Sequence, residues 1–397
     1  MRILLLTPRR LDDPRSGGTI KSSALLSYLE REHEVDVAAF RAPDEEPWQR
    51  PNGETITVPI ERGRTGLNLA RSYAAGVPLS IQRNRSRELR SRVEELIADH
   101  RHDVAFVDGW LMAQDLPEAF AGARLLHEHN AEYVMWQRHA ALEPRRTRRA
   151  MVRLEAGRVR RYERSILGRF ETVFAVSQPD RRALLELGDV PDDVRILPNV
   201  PDPALADRPT LDPPSDPIVL FFATLSWPPN AEGLSRFIAE GMPPLLERVP
   251  KARLVVAGSG ASDALIRLAH RARGVEYAGP VEDDERLYRR ARCFVDVAAG
   301  GSGSRVKVLN ALARGLPVVT TAEGAEGLDV VAGEHLLVAD RPETVAGPAA
   351  RLLTDDELWR SLRGAGRALI RDRYVPEVAF AELAAVLEAR AEPRPRP

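Results

Sequence analysis

Residues 300–319 have the sequence GGSGSRVKVLNALARGLPVV, in which a glycine-rich loop precedes an amphipathic stretch and a short apolar run. This order predicts a loop, a helix and a buried strand. Ser304 is a typical N-cap residue and Gly315 is typical of the position after a helix end, so the helix is predicted to lie between them. The segment therefore indicates an α/β fold in which a loop leads into a helix packed on a sheet.

The glycines of this loop predict a ligand held close to backbone N–H groups at the start of the helix. The loop residues concerned are Gly301, Ser302, Gly303 and Ser304. Arg305 and Lys307 follow in the predicted first turn, where each cation opposes the helix dipole by about 0.3–1 kcal/mol unless an anion is bound. A diphosphate at this place would resolve the conflict. The alternative is a plain surface loop in which Arg305 and Lys307 are solvated.

The rest of the chain repeats the alternation of short apolar runs with longer amphipathic stretches. Strands are predicted at 3–6, 35–40, 104–107, 124–126 and 172–176, and then at 218–223, 253–257, 275–278, 293–297 and 317–320. Such alternation favours parallel sheets covered by helices. Prolines between residues 197 and 217 interrupt the pattern, which predicts a linker between two Rossmann-like halves.

Composition excludes several classes of protein. The 397 residues include 57 Lys and Arg against 58 Asp and Glu, a net charge of −1, so no overall field favours nucleic acid. The single cysteine, Cys293, excludes an intrachain disulfide framework and lies in a predicted strand. No uncharged apolar run reaches the roughly 20 residues that span a bilayer, and residues 1–10 do not match a signal peptide. A soluble chain in a reducing cytoplasm is expected.

These motifs resemble family 4 of the glycosyltransferases. That family has a glycine-rich loop, an Arg-x-Lys pair and a helix leading into a Gly-x-Pro-Val-Val strand, which GLPVV at 315–319 matches. The resemblance continues through AVS at 175–177, LPNV at 197–200, FATLSWPPN at 222–230 and TAEGAEGL at 321–328, and so covers nearly the whole chain. It implies the GT-B fold, an α/β architecture of two Rossmann-like domains whose parallel sheets face a central cleft.

The resemblance also implies how the chain is divided into domains and which substrate each domain binds. Residues 1–200 would form the acceptor-side domain, 201–217 a Pro-rich linker and 218–372 the domain that binds the donor. Residues 373–392 would form a helix packing back toward the N-terminal domain, and 393–397 a frayed tail. The expected activity is that of a retaining hexosyltransferase that uses a nucleotide diphosphate sugar as co-substrate, with no metal ion or other cofactor. A bacterial source fits, with a natural-product scaffold or a cell-surface glycan as acceptor.

The chain departs from the family at two positions. The family usually has a glutamate where this sequence has Asn310, and often an earlier one where it has Ser302. By the resemblance, the later residue contacts the ribose of the donor and the earlier one its sugar. Asn310 can still form hydrogen bonds but carries no charge. One alternative is therefore a catalytically impaired, nucleotide-sugar-binding partner of another transferase; a second is a nucleotide-sugar epimerase of the same fold.

Other glycines follow predicted strands and are donor-binding candidates. Gly17 and Gly18 lie between the first strand and a helix predicted at 20–29, while Gly258, Gly279 and Val281 follow strands of the second half. The resemblance places the first pair near the sugar phosphate and the acceptor, and the loop at 279–281 near the base. At each position the alternative is a plain turn.

Two histidines end a predicted strand on the side of the cleft, in the sequence LLHEHNAE at 125–132. Histidines beside carboxylates can hold or polarise a sugar hydroxyl. The family has a His-Asn-x-Glu pattern here, which implies a catalytic role for His129 and makes His127, Asn130 and Glu132 acceptor-side candidates. A zinc site is disfavoured by the spacing and the lack of cysteines. A purely structural role for the histidines is the other alternative.

Arginines crowd a predicted helix between Arg145 and Arg169. A basic amphipathic helix predicts peripheral contact with anionic lipid or with an anionic acceptor. The alternative is a solvated helix face whose arginines pair internally with Glu155 and Glu163.

Overall fold

The computed structural model describes residues 1–12, 17–63, 65–206, 208–209, 212–281, 283–298 and 305–391. Internal contacts divide the chain into two compact units. Unit 1 comprises Met1–Asn199 with Pro376–Pro397, and unit 2 comprises Val200–Val375. The predicted loop residues Gly301, Ser302, Gly303 and Ser304 lie outside the described residues. In the described part of the chain no helix is long and apolar enough to cross a membrane.

Unit 1 is built on a parallel sheet of seven strands in the order β3-β2-β1-β4-β5-β6-β7. The strands are β1 (Arg2–Thr7), β2 (Glu34–Arg41), β3 (Thr55–Pro59), β4 (Val104–Asp108), β5 (Ala123–Glu128), β6 (Thr172–Ala175) and β7 (Asp193–Ile196). The central strands are continuous apolar runs because helices cover the sheet on both faces. Leu5 of β1, for example, is fully buried and lies in register with Val37 and Phe106.

The helices of unit 1 connect most of its strands, although β3 follows β2 without a helix and only a 3-10 turn lies between β4 and β5. They are α1 (Gly17–Leu29), α2 (Gly66–Ala74), α3 (Leu79–Arg83), α4 (Arg87–Asp99), α5 (Glu132–Leu142), α6 (Arg146–Leu167) and α7 (Gln178–Leu185), with α16 (Pro376–Ala379) and α17 (Ala381–Ala391) at the end of the chain. A 3-10 turn spans Trp110–Met112. Helix α17 is held in this unit through Glu382, whose carboxylate accepts a hydrogen bond from the N–H of Ile196 at 3.1 Å.

Unit 2 repeats the plan with six parallel strands in the order β10-β9-β8-β11-β12-β13. They are β8 (Ile218–Phe222), β9 (Arg253–Ala257), β10 (Val275–Gly279), β11 (Cys293–Asp296), β12 (Val318–Thr321) and β13 (Leu337–Ala339). Cys293 is fully buried in β11, as its apolar surroundings predicted. The prediction of two parallel α/β sheets is confirmed.

The helices of unit 2 are α8 (Pro228–Arg236), α9 (Met242–Arg248), α10 (Asp263–Arg271), α11 (Glu285–Arg290), α12 (Val306–Ala313), α13 (Ala322–Ala325), α14 (Ala346–Thr354) and α15 (Asp356–Leu369). Short 3-10 turns span Pro203–Leu205 and Pro342–Val345, and π-helical turns span Phe237–Gly241 and Ile370–Tyr374. Helix α12 ends at Ala313, and Gly315 follows it in the terminating turn, as predicted. Gly315 has φ of 75°, and its N–H donates a hydrogen bond to the carbonyl of Leu312.

Candidate active site

A buried carboxylate at the carboxyl end of β4 brings two histidines together. Asp108 is the last residue of β4 and is fully buried. Its Oδ1 atom lies 2.8 Å from Nδ1 of His127 and 2.7 Å from Nε2 of His129, and its Oδ2 atom accepts a hydrogen bond from the hydroxyl of Ser22. A carboxylate only accepts hydrogen bonds, so both ring nitrogens that face it carry protons.

This cluster lies where ligands bind in folds of this class. The strand order of unit 1 reverses between β1 and β4, and Asp108 ends β4 at that point. In open α/β sheets the crevice outside the carboxyl ends of the strands at such a reversal is the usual ligand site. Gly18, at the start of the helix after β1, borders it, because a Cβ atom there would lie 3.8 Å from Nδ1 of His129.

A buried lysine, Lys21, contacts the cluster at the ring nitrogen of His127 that does not face Asp108. Nζ of Lys21 lies 2.5 Å from Nε2 of His127 and donates a hydrogen bond to the carbonyl of Leu197, also at 2.5 Å. Burial lowers the pKa of Lys21 to about 7. Burial and then the charge of Lys21 lower the pKa of His127 to about 3, so His127 is neutral. Burial alone would raise the pKa of Asp108, but the charge of His129 and the hydrogen bonds of both histidines hold it well below its ordinary value.

The two histidines have different access to a ligand. His127 is fully buried and both of its ring nitrogens are engaged, so neither nitrogen is available to an acceptor in this arrangement, and its acceptor contact stays a prediction. The side chain of His129 is 25% exposed, and its Nδ1 atom faces the start of α1 instead of the buried carboxylate. His129 is therefore the member of the cluster that can reach a substrate.

The residues after the second histidine belong largely to the protein interior. Glu132 is buried at the start of α5, and Asn130 donates a long hydrogen bond of 3.4 Å to its carboxyl group. Burial raises the pKa of Glu132 to about 7. The acceptor contact expected of Glu132 stays a prediction, and Asn130 is half-buried.

The start of α5 is held by a carboxyl group that sequence patterns did not single out for this purpose. Glu163 of α6 is fully buried, and its two oxygens accept hydrogen bonds from the N–H groups of Glu132 and Tyr133 at 2.8 and 3.0 Å. Burial, and then the charge of Glu132, raises the pKa of Glu163 to about 8. The expected pairing of Glu163 with arginines is wrong, because its oxygens cap a helix instead.

Unit 2 has its own reversal of strand order, between β8 and β11, and Lys307 lies there. Its Nζ atom is 2.8 Å from Oδ1 of Asp296, the last residue of β11, and 2.8 Å from Oδ1 of Asn230 in α8. Asp296 is fully buried. Lys307 therefore has an anionic partner within its own unit, and the diphosphate that the sequence suggests at the start of the helix stays a prediction.

The start of α12 also differs from the prediction. The helix begins at Val306, and the N-cap position is occupied by Arg305 instead of Ser304. Arg305 has a left-handed backbone with φ of 48°, a conformation that costs a non-glycine residue about 1–2 kcal/mol. Its guanidinium is nearly buried and donates to the carbonyl of Glu323. Strained residues of this kind cluster at ligand-binding sites.

Two family models match the chain in succession. A glycosyl transferase 4-like domain matches residues 17–200, and the model described as glycosyl transferases group 1 matches residues 216–355. The chain belongs to the group 1 glycosyl transferases. The transferase also shares 27% identity over 129 residues with an uncharacterized 44.6 kDa protein in the cps region of Klebsiella pneumoniae. That match covers 31% of the transferase and spans about a third of the relative, 33% of its length.

Solved structures share the fold of the transferase along almost its whole length. Sucrose-phosphate synthase from Thermosynechococcus elongatus superposes with a TM-score of 0.69 at 18% identity, covering 98% of each chain. The HepE protein of Anabaena, solved with UDP and glucose, gives a TM-score of 0.65 at 15% identity and covers 98% of this chain and 100% of its own. Both likenesses establish the GT-B fold, as the sequence motifs predicted.

The side-chain oxygen of Asn310, a residue predicted to bind the donor, accepts a hydrogen bond from the protein itself. Oδ1 accepts a hydrogen bond of 2.9 Å from the N–H of Asp202, in the loop that enters unit 2. The amide group keeps two N–H donors, but the oxygen that would accept a hydrogen bond from a ribose hydroxyl is already engaged.

Close packing accounts for one of the predicted donor-binding glycines. Gly258 follows β9 with φ of 131°, and a Cβ atom there would lie 1.8 Å from the carbonyl oxygen of Ala223. Its N–H donates to the carbonyl of Gly279 at 2.8 Å, so both glycines are needed where the loops after β9 and β10 meet. The turn interpretation is sufficient for Gly258 and Gly279, and Val281 is half-buried beyond them.

The histidine cluster has the composition of a metal site. One ligand atom from each of Asp108, His127 and His129 lies within 4.8 Å of the others, a proximity that sequence spacing did not reveal. Yet every ring nitrogen that faces Asp108 carries a proton, and the ammonium group of Lys21 lies beside the remaining nitrogen of His127. A bound cation would need to displace these protons and sit near a buried ammonium group, so the donor set fits a hydrogen-bonded network better than a metal.

Proposed function

We propose that the transferase moves a hexose from a nucleoside diphosphate sugar, with UDP as the nucleotide, to a hydroxyl group of a small-molecule or glycan acceptor. The observation that carries this proposal is the pairing of Lys307 with Asp296 and Asn230 at the strand-order reversal of unit 2. Those two contacts engage two of the three N–H donors of the ammonium group. No other acceptor among the described residues takes the third N–H donor, which is therefore available to a phosphate oxygen. The HepE protein, of the same fold, was solved with UDP-glucose.

In the proposed reaction the bond between the anomeric carbon and the diphosphate breaks, and the acceptor oxygen bonds to the same carbon on the same face. The acceptor proton passes to the departing diphosphate, so the configuration is retained without a protein nucleophile and without a divalent ion. Lys307, Arg305 and the start of α12 stabilise the charge that grows on the diphosphate. His129, oriented by Asp108, binds a sugar hydroxyl through Nδ1.

Calorimetric titration of UDP, GDP and dTDP tests the donor site. We expect UDP to bind, and Lys307→Gln to weaken it by about tenfold or more, since a hydrogen bond to a charged group contributes about 1.5–3 kcal/mol. Lys251→Gln is the matched control, because Lys251 is an exposed lysine of the same unit. Equal affinity in all three proteins, each shown to be folded at the titration temperature, would remove Lys307 from the donor site.

Asn310 favours a second candidate, a nucleotide-sugar-binding partner of another transferase, because its oxygen is already engaged by Asp202. That function predicts UDP-sugar binding without turnover. Incubation of the protein with UDP-sugars and an acceptor extract, with mass spectrometry of the products, separates the two candidates: release of UDP with a glycosylated product supports the enzyme, and binding alone supports the partner.

We further propose that the first half of α6 contacts an anionic membrane surface. Met151 and Leu154 are 68% and 53% exposed beside exposed arginines of the same helix. In the second half Arg158 is buried and pairs with Glu155 at 2.7 Å, while Arg160, Arg161 and Arg164 are exposed. An apolar pair among cations suits an interface with acidic lipid.

Flotation with phosphatidylserine vesicles tests this contact. The wild-type chain should float and Met151→Glu/Leu154→Glu should lose most of its binding, because burial of each apolar side chain contributes about 1.5–3 kcal/mol. Leu185→Glu is the control, as Leu185 is 39% exposed on α7. Identical flotation of the double variant and the control, or none of the wild type, would eliminate the membrane contact.

A further inference from the structure

Unit 1 contains a second concave site, lined by residues other than those of the candidate active site. It is a pocket of about 1030 Å³ between α2, α3, α4, α6 and the segment after the Trp110–Met112 turn. Its cationic lining residues are Arg71, Arg85, Arg87, Arg90 and Arg169, and its acidic ones are Asp115 and Glu118. Its volume lies at the upper end of the range for pockets that enclose small molecules, about 300–1,000 Å³.

Among the residues that the structure describes, most of these guanidinium groups have no hydrogen-bond or ion-pair partner. Arg90 forms a 3.2 Å pair with Glu94, and Arg169 donates a long 3.4 Å hydrogen bond to the carbonyl of Leu116. Within the described chain, the side chains of three others form no hydrogen bond or ion pair: Arg71, Arg85 and Arg87. The pocket therefore has an excess of positive charge and several unused donors whose planar geometry suits phosphate or carboxylate oxygens.

The start of α4 adds to this preference for an anion. Ser86 caps the helix, its hydroxyl accepting a hydrogen bond from the N–H of Leu89 at 3.1 Å, and Ser86 also lines the pocket. Arg87 lies in the first turn of this 13-residue helix, where a cation opposes the helix dipole. A bound anion would offset both the dipole and the crowded arginines.

The floor of the pocket contains two polar groups that lack partners. Asp115 is 2% exposed, and neither its Oδ2 atom nor the hydroxyl of Tyr162 has a hydrogen-bond partner among the described residues. Both residues line the pocket. Each such buried atom costs about 1–3 kcal/mol unless a ligand or water satisfies it. Burial raises the pKa of Asp115 well above its ordinary value, against the opposing charges of Arg90 and Arg85. In its neutral form this carboxyl group can donate as well as accept a hydrogen bond.

We propose that this pocket binds an organic phosphate that also carries hydroxyl groups, the chemistry of a phosphorylated sugar. The arginines hold the phosphate at the start of α4, while Asp115 and Tyr162 form hydrogen bonds with the hydroxyl groups. Neither an unphosphorylated sugar nor inorganic phosphate uses both halves of the site. All of its lining residues belong to unit 1, and none of them is a residue of the nucleotide site proposed in unit 2.

Calorimetric titration of ribose 5-phosphate, ribose and inorganic phosphate into the full chain saturated with UDP tests the proposal. Ribose 5-phosphate should bind saturably and more tightly than either of the other two probes. Arg85→Gln/Arg87→Gln should weaken it by about tenfold or more, since two charged donors are lost. Arg153→Gln/Arg161→Gln, two exposed arginines of α6 outside the pocket, makes the same change of charge and should leave the affinity unaltered.

Asp115→Ala separates the two halves of the site, because it removes the hydrogen-bonding group of the floor and should weaken ribose 5-phosphate while leaving inorganic phosphate unchanged. Absence of saturable binding by ribose 5-phosphate would overturn the proposal, as would an equal loss in the control pair, which indicates a general charge effect. Loss of binding in Lys307→Gln but not in Arg85→Gln/Arg87→Gln would assign the phosphate to the nucleotide site and overturn it as well. After incubation with UDP-sugar, mass spectrometry of the bound ribose 5-phosphate shows whether it has been glycosylated. A glycosylated product makes the compound an acceptor and an unmodified one makes it an effector, and both results satisfy the proposal.

Discussion

Replacing Asp108 with alanine is expected to destabilise unit 1 by about 3–5 kcal/mol, the range for removing one partner from a buried charged network. The substitution leaves the N–H groups of both histidines and the hydroxyl of Ser22 without an acceptor. It also removes the negative charge that offsets the buried ammonium group of Lys21. Hydrogen exchange followed by mass spectrometry should show the loss in β4 and α1, while peptides of unit 2 exchange as in the wild type.

Asp99→Ala is the matched control, because Asp99 is an exposed aspartate of the same unit. Equal protection in the two variants would show that the Asp108 network contributes little to stability.

Asp108→Asn should fold better than Asp108→Ala, since the amide oxygen still accepts a hydrogen bond. In a transfer assay it should still lose activity, because the neutral amide holds the proton on Nε2 of His129 less firmly.

The same cluster predicts a dependence of stability on pH. The pKa of Lys21 is lowered from 10.5 to about 7 in the folded chain, so the unfolded chain binds more protons between these values. Stability contributed by this group therefore rises as the pH increases from about 7 to 10.5 and is constant below about 7. Asp108 raises the pKa of Lys21, so Asp108→Asn should extend this rise to more acidic pH, as urea unfolding at successive pH values would show.

Lys307→Met is expected to destabilise unit 2 by about 3–5 kcal/mol, a larger effect than the loss of an exposed charge. The reason is that Asp296 is fully buried and loses its counter-ion, while Oδ1 of Asn230 loses its donor. The unfolding midpoint of unit 2 in urea, followed through its own peptides by hydrogen exchange, measures the effect. Lys251→Met should leave that midpoint within about 0.5 kcal/mol of the wild type.

A double variant separates the charge pair from the other contact of the ammonium group. In Asp296→Asn/Lys307→Met the buried group is neutral, so most of the lost stability should return although the lysine is still missing. Failure of the double variant to recover would mean that the ammonium group stabilises unit 2 mainly through its hydrogen bond to Asn230, because methionine keeps most of the aliphatic chain. Lys307 thus has a structural role besides the proposed donor contact, and loss of activity in its variants has to be compared with loss of folding.

Sequence patterns were sufficient for the family and for most of the local structure. Apolar runs of three to six residues predicted ten of the thirteen strands, because a strand buried on both faces is apolar throughout, but they did not predict β3, β7 and β13. The helix and strand within 305–319 and the turn at Gly315 were likewise visible, since caps and glycine turns depend on neighbouring residues. The predicted N-cap of α12 was one residue early, at Ser304 instead of Arg305, because a left-handed residue at Arg305 has no sequence signal.

The partners of the charged groups were decided only by the tertiary structure. Lys21 and His127 are 106 positions apart and Lys307 and Asn230 are 77 apart, and each pair meets because the strand order brings distant loops to one edge of a parallel sheet. Asp108 carried one faint signal, as the polar end of an apolar strand. Local periodicity determines which residues form an element, whereas strand order and burial determine which charges meet and therefore which of two neighbouring histidines reaches a ligand.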